Sequence, residues 1–162
     1  MLRVPILCLT LSWALAVTAE TARLLGSEQL QFVEPKGWQE VYTDRDGNLS
    51  TTEYAPPGQT ADDWRELISV QILLDTPDAD PDQLLSRAAQ HLGRSCTAFE
   101  VQPIELGGVG DYPTLAFMLM CGRNTDSDQG EFTLIRGIAG HENFYILQKI
   151  WRVPPYALDA AP

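Results

Sequence analysis

Hydrophobic and polar residues alternate with a period of two over short stretches, the pattern of a half-buried β-strand. Leu30-Gln31-Phe32-Val33 opens the series and is stopped by Pro35 and Gly37. Residues 38–43 and 49–54 read as two strands of a hairpin, joined by a tight turn at Asp44-Arg45-Asp46-Gly47-Asn48, where Gly and Asn tolerate positive φ. Ala55-Pro56-Pro57-Gly58-Gln59 breaks the pattern, and Thr60 offers an N-cap for a short helical turn through Asp62, Asp63 and Trp64. Residues 67–74 are apolar and β-branched enough for a central strand. The period then changes. Leu84, Leu85, Ala88, Ala89 and Leu92 recur at helical spacing behind Asp80 as a cap, Pro81 at the first helical position and Gln83 as capping-box partner, with Gly93 as the stop. Strand patterns return at 99–106, 114–121, 131–139 and 144–151, separated by Gly-rich or polar turns. The count is eight short strands and one firm helix. It predicts an α+β fold, an antiparallel sheet with the helix packed on one face.

The first residues do not belong to this pattern. Arg3, a mostly apolar run from Val4 to Val17, and small residues at Val17 and Ala19 form the three parts of a secretory signal peptide, with cleavage expected after Ala19. The run is interrupted by Pro5, Thr10 and Ser12 and is shorter than the about 20 apolar residues a membrane-spanning helix needs. Residues 20–162 are expected to form a single domain with no integral membrane segment after cleavage, in the periplasm or secreted.

Export changes the meaning of the cysteines. The leader removes Cys8 and leaves Cys96 and Cys121, and two thiols in an oxidising compartment are expected to pair as a disulfide. Neither has a His or a second Cys at metal-ligand spacing. The formal charge of −11 becomes one unit more negative when Arg3 leaves. Such a chain repels nucleic-acid phosphates and anionic membrane surfaces; the charge serves solubility.

Residues able to carry chemistry are few. Asp44, Asp46 and Asn48 begin like a calcium loop, but the sixth position is Leu49 and the twelfth Ala55, so a hairpin turn is the better reading. Asp75, Asp78, Asp80 and Asp82 precede a helix, where negative charge is favourable by itself. His91 and His141 are the only histidines and lie in no zinc-enzyme pattern. Gly107-Gly108-Val109-Gly110 is followed by a strand, so no helix dipole faces a phosphate there. Asp62 or Asp63 with Glu66 is the one acid pair open to a hydrolase reading, and the solvated face of a short helix explains it more simply. No catalytic residue, metal site or cofactor is expected, and the chain reads as a non-enzyme. The aromatic residues are mostly core. A partner-contact patch is expected at Tyr54, Pro56, Pro57 and Trp64, where a Pro-stiffened loop lies beside aromatic rings.

The segment Phe32-Val33-Glu34-Pro35-Lys36-Gly37-Trp38, followed by hairpin, strand, helix and meander, resembles the opening of the PsbP/Mog-like fold, an α/β sandwich shared by the extrinsic PsbP subunit of photosystem II and the Ran-binding Mog proteins. The chain is also similar to a group of uncharacterised proteobacterial secreted (periplasmic) proteins through Glu53-Tyr54-Ala55-Pro56-Pro57-Gly58-Gln59, Trp64, Ser69-Val70-Gln71, Gly110-Asp111-Tyr112-Pro113 and Phe144-Tyr145-Ile146-Leu147-Gln148-Lys149. The resemblance implies a docking role, an accessory module binding an envelope protein, with a small-molecule or lipid-binding periplasmic protein as the alternative. Such domains close with a helix. Here only residues 156–162 follow the last expected strand, an arrangement expected to leave apolar sheet surface exposed.

Overall fold

The computed structural model describes residues 28–160; the predicted leader at 1–19 lies outside them. Seven strands form one sheet: β1 (Gln39–Asp46), β2 (Leu49–Ala55), β3 (Glu66–Leu73), β4 (Phe99–Pro103), β5 (Thr114–Asn124), β6 (Gln129–Ala139) and β7 (Phe144–Val153). One α-helix, α1 (Pro81–Gly93), separates β3 from β4. Every pairing is antiparallel, in the order β1-β2-β3-β7-β6-β5-β4. Two meanders therefore meet at the centre: β1 to β3 run in sequence, the chain crosses over through α1, and the second meander returns so that β7 pairs with β3.

This corrects the expected α+β sandwich: the fold is mostly β. Strands about 4.8 Å apart make a seven-stranded sheet about 30 Å wide, whereas a helix is about 10 Å across. α1 packs against β5 and β6 and cannot form a second layer. Its contact is nonetheless tight. Leu85 and Ala89 are buried against Leu119 of β5 and Ile135 of β6, with Phe99, Leu115, Phe117 and Ile146 around them. Asp80 caps the helix as expected, accepting from Asp82 N–H at 3.0 Å, and Pro81 is the first helical residue. Gly93 has a different reason from the one the sequence offered. The capping residue is Arg94 in the right-handed region; a Cβ on Gly93 would come within 2.7 Å of the Phe99 ring. Gly93 is small so that β4 can approach the helix.

The opposite face of the sheet is apolar as well. Val70, Ala116, Met120, Ile138 and Tyr145 share it by register and are buried. The segments that precede β1 and follow β7 lie across it. Residues 28–38 are not strand: the alternation at 30–33 belongs to a strap that crosses the face, Phe32 meeting Tyr54 at 5.4 Å between ring centroids and Trp38 receiving the Lys149 ammonium at 4.2 Å. After β7, Tyr156 stacks on Phe132, 5.0 Å apart and nearly parallel, and a 3-10 turn follows at Leu158–Ala160. Strap and C-terminal segment thus cover part of this face.

The Cys96–Cys121 disulfide is present, with Cα atoms 5.5 Å apart. It ties the exit of α1 to β5, beside the backbone bond from Thr97 N–H to Arg123 O at 2.9 Å. The expected helical turn after Thr60 does not form: Thr60 Oγ1 accepts from Asp63 N–H at 3.1 Å, but residues 61–63 are bends. Among the described residues no helix is long and apolar enough to cross a membrane.

Candidate functional site

Antiparallel order brings connections that are distant in sequence to one end of the sheet. The β6–β7 turn (residues 140–143) stands there between the β3–α1 connection (74–80) and the Val109–Pro113 turn before β5. Hydrogen bonds stitch them: Thr76 N–H to Glu142 O at 2.8 Å, Asp75 N–H to the Asn143 side-chain Oδ1 at 3.2 Å, and Ala139 N–H to Pro113 O at 2.9 Å. Asp75 adopts positive φ, 56°, a conformation Asp tolerates better than most residues. The Tyr112 and His141 rings lie 5.1 Å apart across this junction.

The strap starts at the same place. Glu28 accepts hydrogen bonds from His141 N–H, from Asn143 N–H at 3.4 Å and from the Tyr145 hydroxyl at 2.9 Å. A Cβ on Gly140 would collide with the Glu28 carboxylate, so the missing side chain at 140 is what lets it in. Burial alone would raise the Glu28 pKa, but the bonds from His141 N–H, Tyr145 OH and the amides of Glu142 and Asn143 outweigh it and hold the carboxyl below its ordinary 4.5. The Tyr145 hydroxyl, buried and beside this negative charge, is pushed up.

Three clefts share these walls. One of about 570 Å³ lies between Glu28, Pro77 and His141. One of about 610 Å³ runs from Pro77 past Asp111 and Tyr112 to His141. A smaller one of about 270 Å³ follows strap residues 29–31 beside Val109 and Tyr112. A separate apolar groove of about 460 Å³ lies between α1 and edge strand β4, at Ala89, Phe99, Val101 and Phe117.

Of the residues singled out in the sequence, His141 and Asp75 lie at this site, whereas the expected partner-contact residues lie elsewhere. Tyr54, Pro56, Pro57 and Trp64 are at the opposite end of the sheet. Tyr54 lies under Phe32 on the strap face, and Pro57 is exposed with its ring 4.0 Å from where a Gly37 Cβ would stand. Trp64 carries the Arg152 guanidinium 3.6 Å above its ring, and Arg152 by register belongs to the helix face. Glu66, named for an acid pair, is bound to Lys149 at 2.6 Å, whereas Asp62 and Asp63 are exposed. Asp44 and Asp46 lie exposed on β1, and Asn48 donates to Leu74 O at 3.3 Å. His91 is exposed in the last turn of α1. Among the described residues no group of three or more His, Cys, Asp or Glu is placed to hold a metal.

Sequence reasoning placed His141 in a turn and passed over Glu28. A single carboxylate at the head of a polar segment carries no signal of its own. The available hint was the Gly140-His141-Glu142-Asn143 turn, whose amides needed an acceptor. No family model matches the chain, and no curated protein is similar to it in sequence.

Proposed function

We propose that this protein is an exported, non-catalytic accessory of the cell envelope that binds a protein partner at the end of the sheet formed by the 140–143 turn. One observation carries the reading: clefts of about 570, 610 and 270 Å³ share walls around that turn, built from four segments far apart in the sequence. Surfaces of this kind, loops held by a rigid scaffold, are where binding residues concentrate. Export is supported by the leader pattern at 1–19 and by a disulfide suited to an oxidising compartment. The PsbP/Mog-like resemblance, whose better-known bearers dock to partners, points the same way.

A small-molecule ligand is the second reading, favoured by the two larger clefts, whose volumes of about 570 and 610 Å³ lie inside the range of roughly 300–1,000 Å³ typical of ligand sites. The clefts open together onto one loop surface, which favours a protein. A photoreactive residue placed in turn at Pro77, Asp111, Pro57 and Asp126 in the exporting cell tests this. The expected result is an adduct of one defined mass from 77 and 111 and none from 57 or 126, which lie at the other end. Adducts from 57 alone, or from no position, refute it.

A further inference from the structure

Glu28 is held as a ligand is held, although it belongs to the chain. Amides of a tight turn aimed at one point make an anion-binding concavity, and this one is completed by the Tyr145 hydroxyl. The concavity is shaped without Glu28. Gly140 N–H bonds to Asn143 O at 2.9 Å and closes the turn, while residues 75 and 76 brace it from outside. The guest, in contrast, is loosely tied. Among the described residues no backbone bond joins the strap at 28–34 to the sheet; its fastenings are the Glu28 carboxylate, the Phe32 ring on Tyr54 and, further on, Trp38 on Lys149. Open space lies on both sides of the carboxylate and continues along the strap.

We propose that the β6–β7 turn is a carboxylate receptor, that Glu28 fills it as an exchangeable internal stand-in, and that the external ligand is an acidic side chain on an extended segment of a partner protein. This rests on reading that end of the sheet as the contact surface, and names what enters it. The occupant on view argues for a peptide: it is a glutamate on an extended segment, and the 270 Å³ cleft follows the residues after it, 29–31, rather than the carboxylate alone. The overall charge adds a signature. A chain of net charge −11 repels an acidic segment at long range, so the site relies on its local amides. Binding should therefore tighten as salt rises from low ionic strength, the reverse of a basic receptor's behaviour.

The test uses the mature chain, as wild type and as Glu28→Ala, labelled for backbone amide resonances. It is titrated with acetate and with a capped peptide of residues 28–32. In Glu28→Ala the His141 and Asn143 amides should move saturably with the peptide, toward their wild-type positions, while Ile135 and Phe117 stay still. Wild type should need at least roughly tenfold more peptide, because tethered Glu28 competes at an effective concentration in about the millimolar range. Acetate moving the same amides more weakly supports the shared carboxylate chemistry. Acetate acting where the peptide does not overturns the assignment to a protein segment. No movement with either overturns the receptor. Wild type alone supplies a check independent of whether the variant folds: an exchangeable latch requires the His141 and Asn143 amides to exchange with solvent at least a hundredfold faster than the Ile135 amide, and equal protection marks Glu28 as a fixed staple and refutes the proposal. If the titration fails while the adduct at 111 persists, the carboxylate assignment falls and the contact surface stands; if both fail, both fall.

Discussion

Leu85 and Gly137 are predicted to be energetically coupled, since neither tolerates the other's enlargement. Leu85 is fully buried on the inner face of α1, and Gly137 lies beneath it on β6. A Cβ on Gly137 would stand 3.1 Å and 3.2 Å from Leu85 Cγ and Cδ1 and 2.7 Å from Phe144 Cζ. Phe144 is also fully buried, so its ring has no free direction in which to retreat. Gly137→Ala should therefore destabilise by about 1–3 kcal/mol, the usual range for overpacking. Leu85→Ala removes a completely buried side chain at a helix–sheet contact and should cost about 3–4 kcal/mol in lost burial and residual cavity. In the double variant the new methyl enters part of the space left by Leu85, and only the conflict with Phe144 remains. The pair should thus cost less than the sum of the singles by about 1 kcal/mol, within the range seen for contacting residues.

The assay is urea unfolding followed by circular dichroism with the disulfide intact, supported by thermal scans. For a chain of this size a loss of 1 kcal/mol lowers Tm by roughly 2–4 °C, so Leu85→Ala should melt about 10 °C below wild type. Strict additivity would refute the reasoning, because it would mean that the two sites do not share a cavity. A cost below about 1 kcal/mol for Leu85→Ala would refute it more deeply, since the helix would then not be docked on β5 and β6 at all.

Three further outcomes follow from the same structure. Cys96→Ala/Cys121→Ala should lose about 3.5 kcal/mol relative to the oxidised protein, from the unfolded-state loop that a 25-residue separation closes; an unchanged urea midpoint on replacing both cysteines would show that the bridge constrains nothing. Glu53, half-buried on β2, has its pKa raised by burial. Its charged form is therefore disfavoured by folding, so the penalty is absent below its unfolded value and grows as pH rises through 4.5 and beyond. Glu53→Gln should raise Tm at pH 7 and leave it unchanged at pH 3, and a lower Tm at pH 7 would contradict this. For Glu28 the sign is opposite. Its pKa is lowered by the cradle's hydrogen bonds against the effect of burial, so its stabilisation is present above 4.5 and is lost as pH falls through the lower folded value. The amide signal of His141 should report strap release with a midpoint below pH 4.5, and a midpoint above it would refute the bond.

Much of the strand layout was legible because it is local. A period of two marks a half-buried strand wherever it occurs, and seven of the eight alternating stretches are strands. The exception is instructive. Leu30 to Val33 alternates as they do, yet it lies over the sheet instead of within it, because pattern records which residues seek burial and not whether a partner strand supplies hydrogen bonds. The helix was legible for the same local reason, its cap and first-turn proline being adjacent in sequence. What it packs against was not. One helix and many strands suggested two layers, but layer formation depends on the width of the sheet, and the β3–β7 pairing that sets this width joins residues about 80 apart. The disulfide was legible from arithmetic on three cysteines. The candidate site was not, since it needs Glu28, the 140–143 turn and residues 75–76 at once, and no one of these carries a chemical signature.

The two ends of the sheet are fastened by different forces, and this bears on which end can respond to a partner. At one end large contacts prevail: the Cys96–Cys121 bridge, Tyr156 stacked on Phe132, Arg152 over Trp64 and within 3.4 Å of Glu131. These bury area or close covalently, and they open only with the sheet itself. At the other end the fastenings are hydrogen bonds between loops, the Tyr112–His141 ring contact and a single carboxylate on a strap. Each such bond contributes about 1 kcal/mol net because water can replace it. Segments held in that way open locally at a small fraction of the global free energy. The exchange proposed for Glu28 therefore falls at the end where local opening costs least, and the aromatic loop at Tyr54 and Trp64 belongs to the other end.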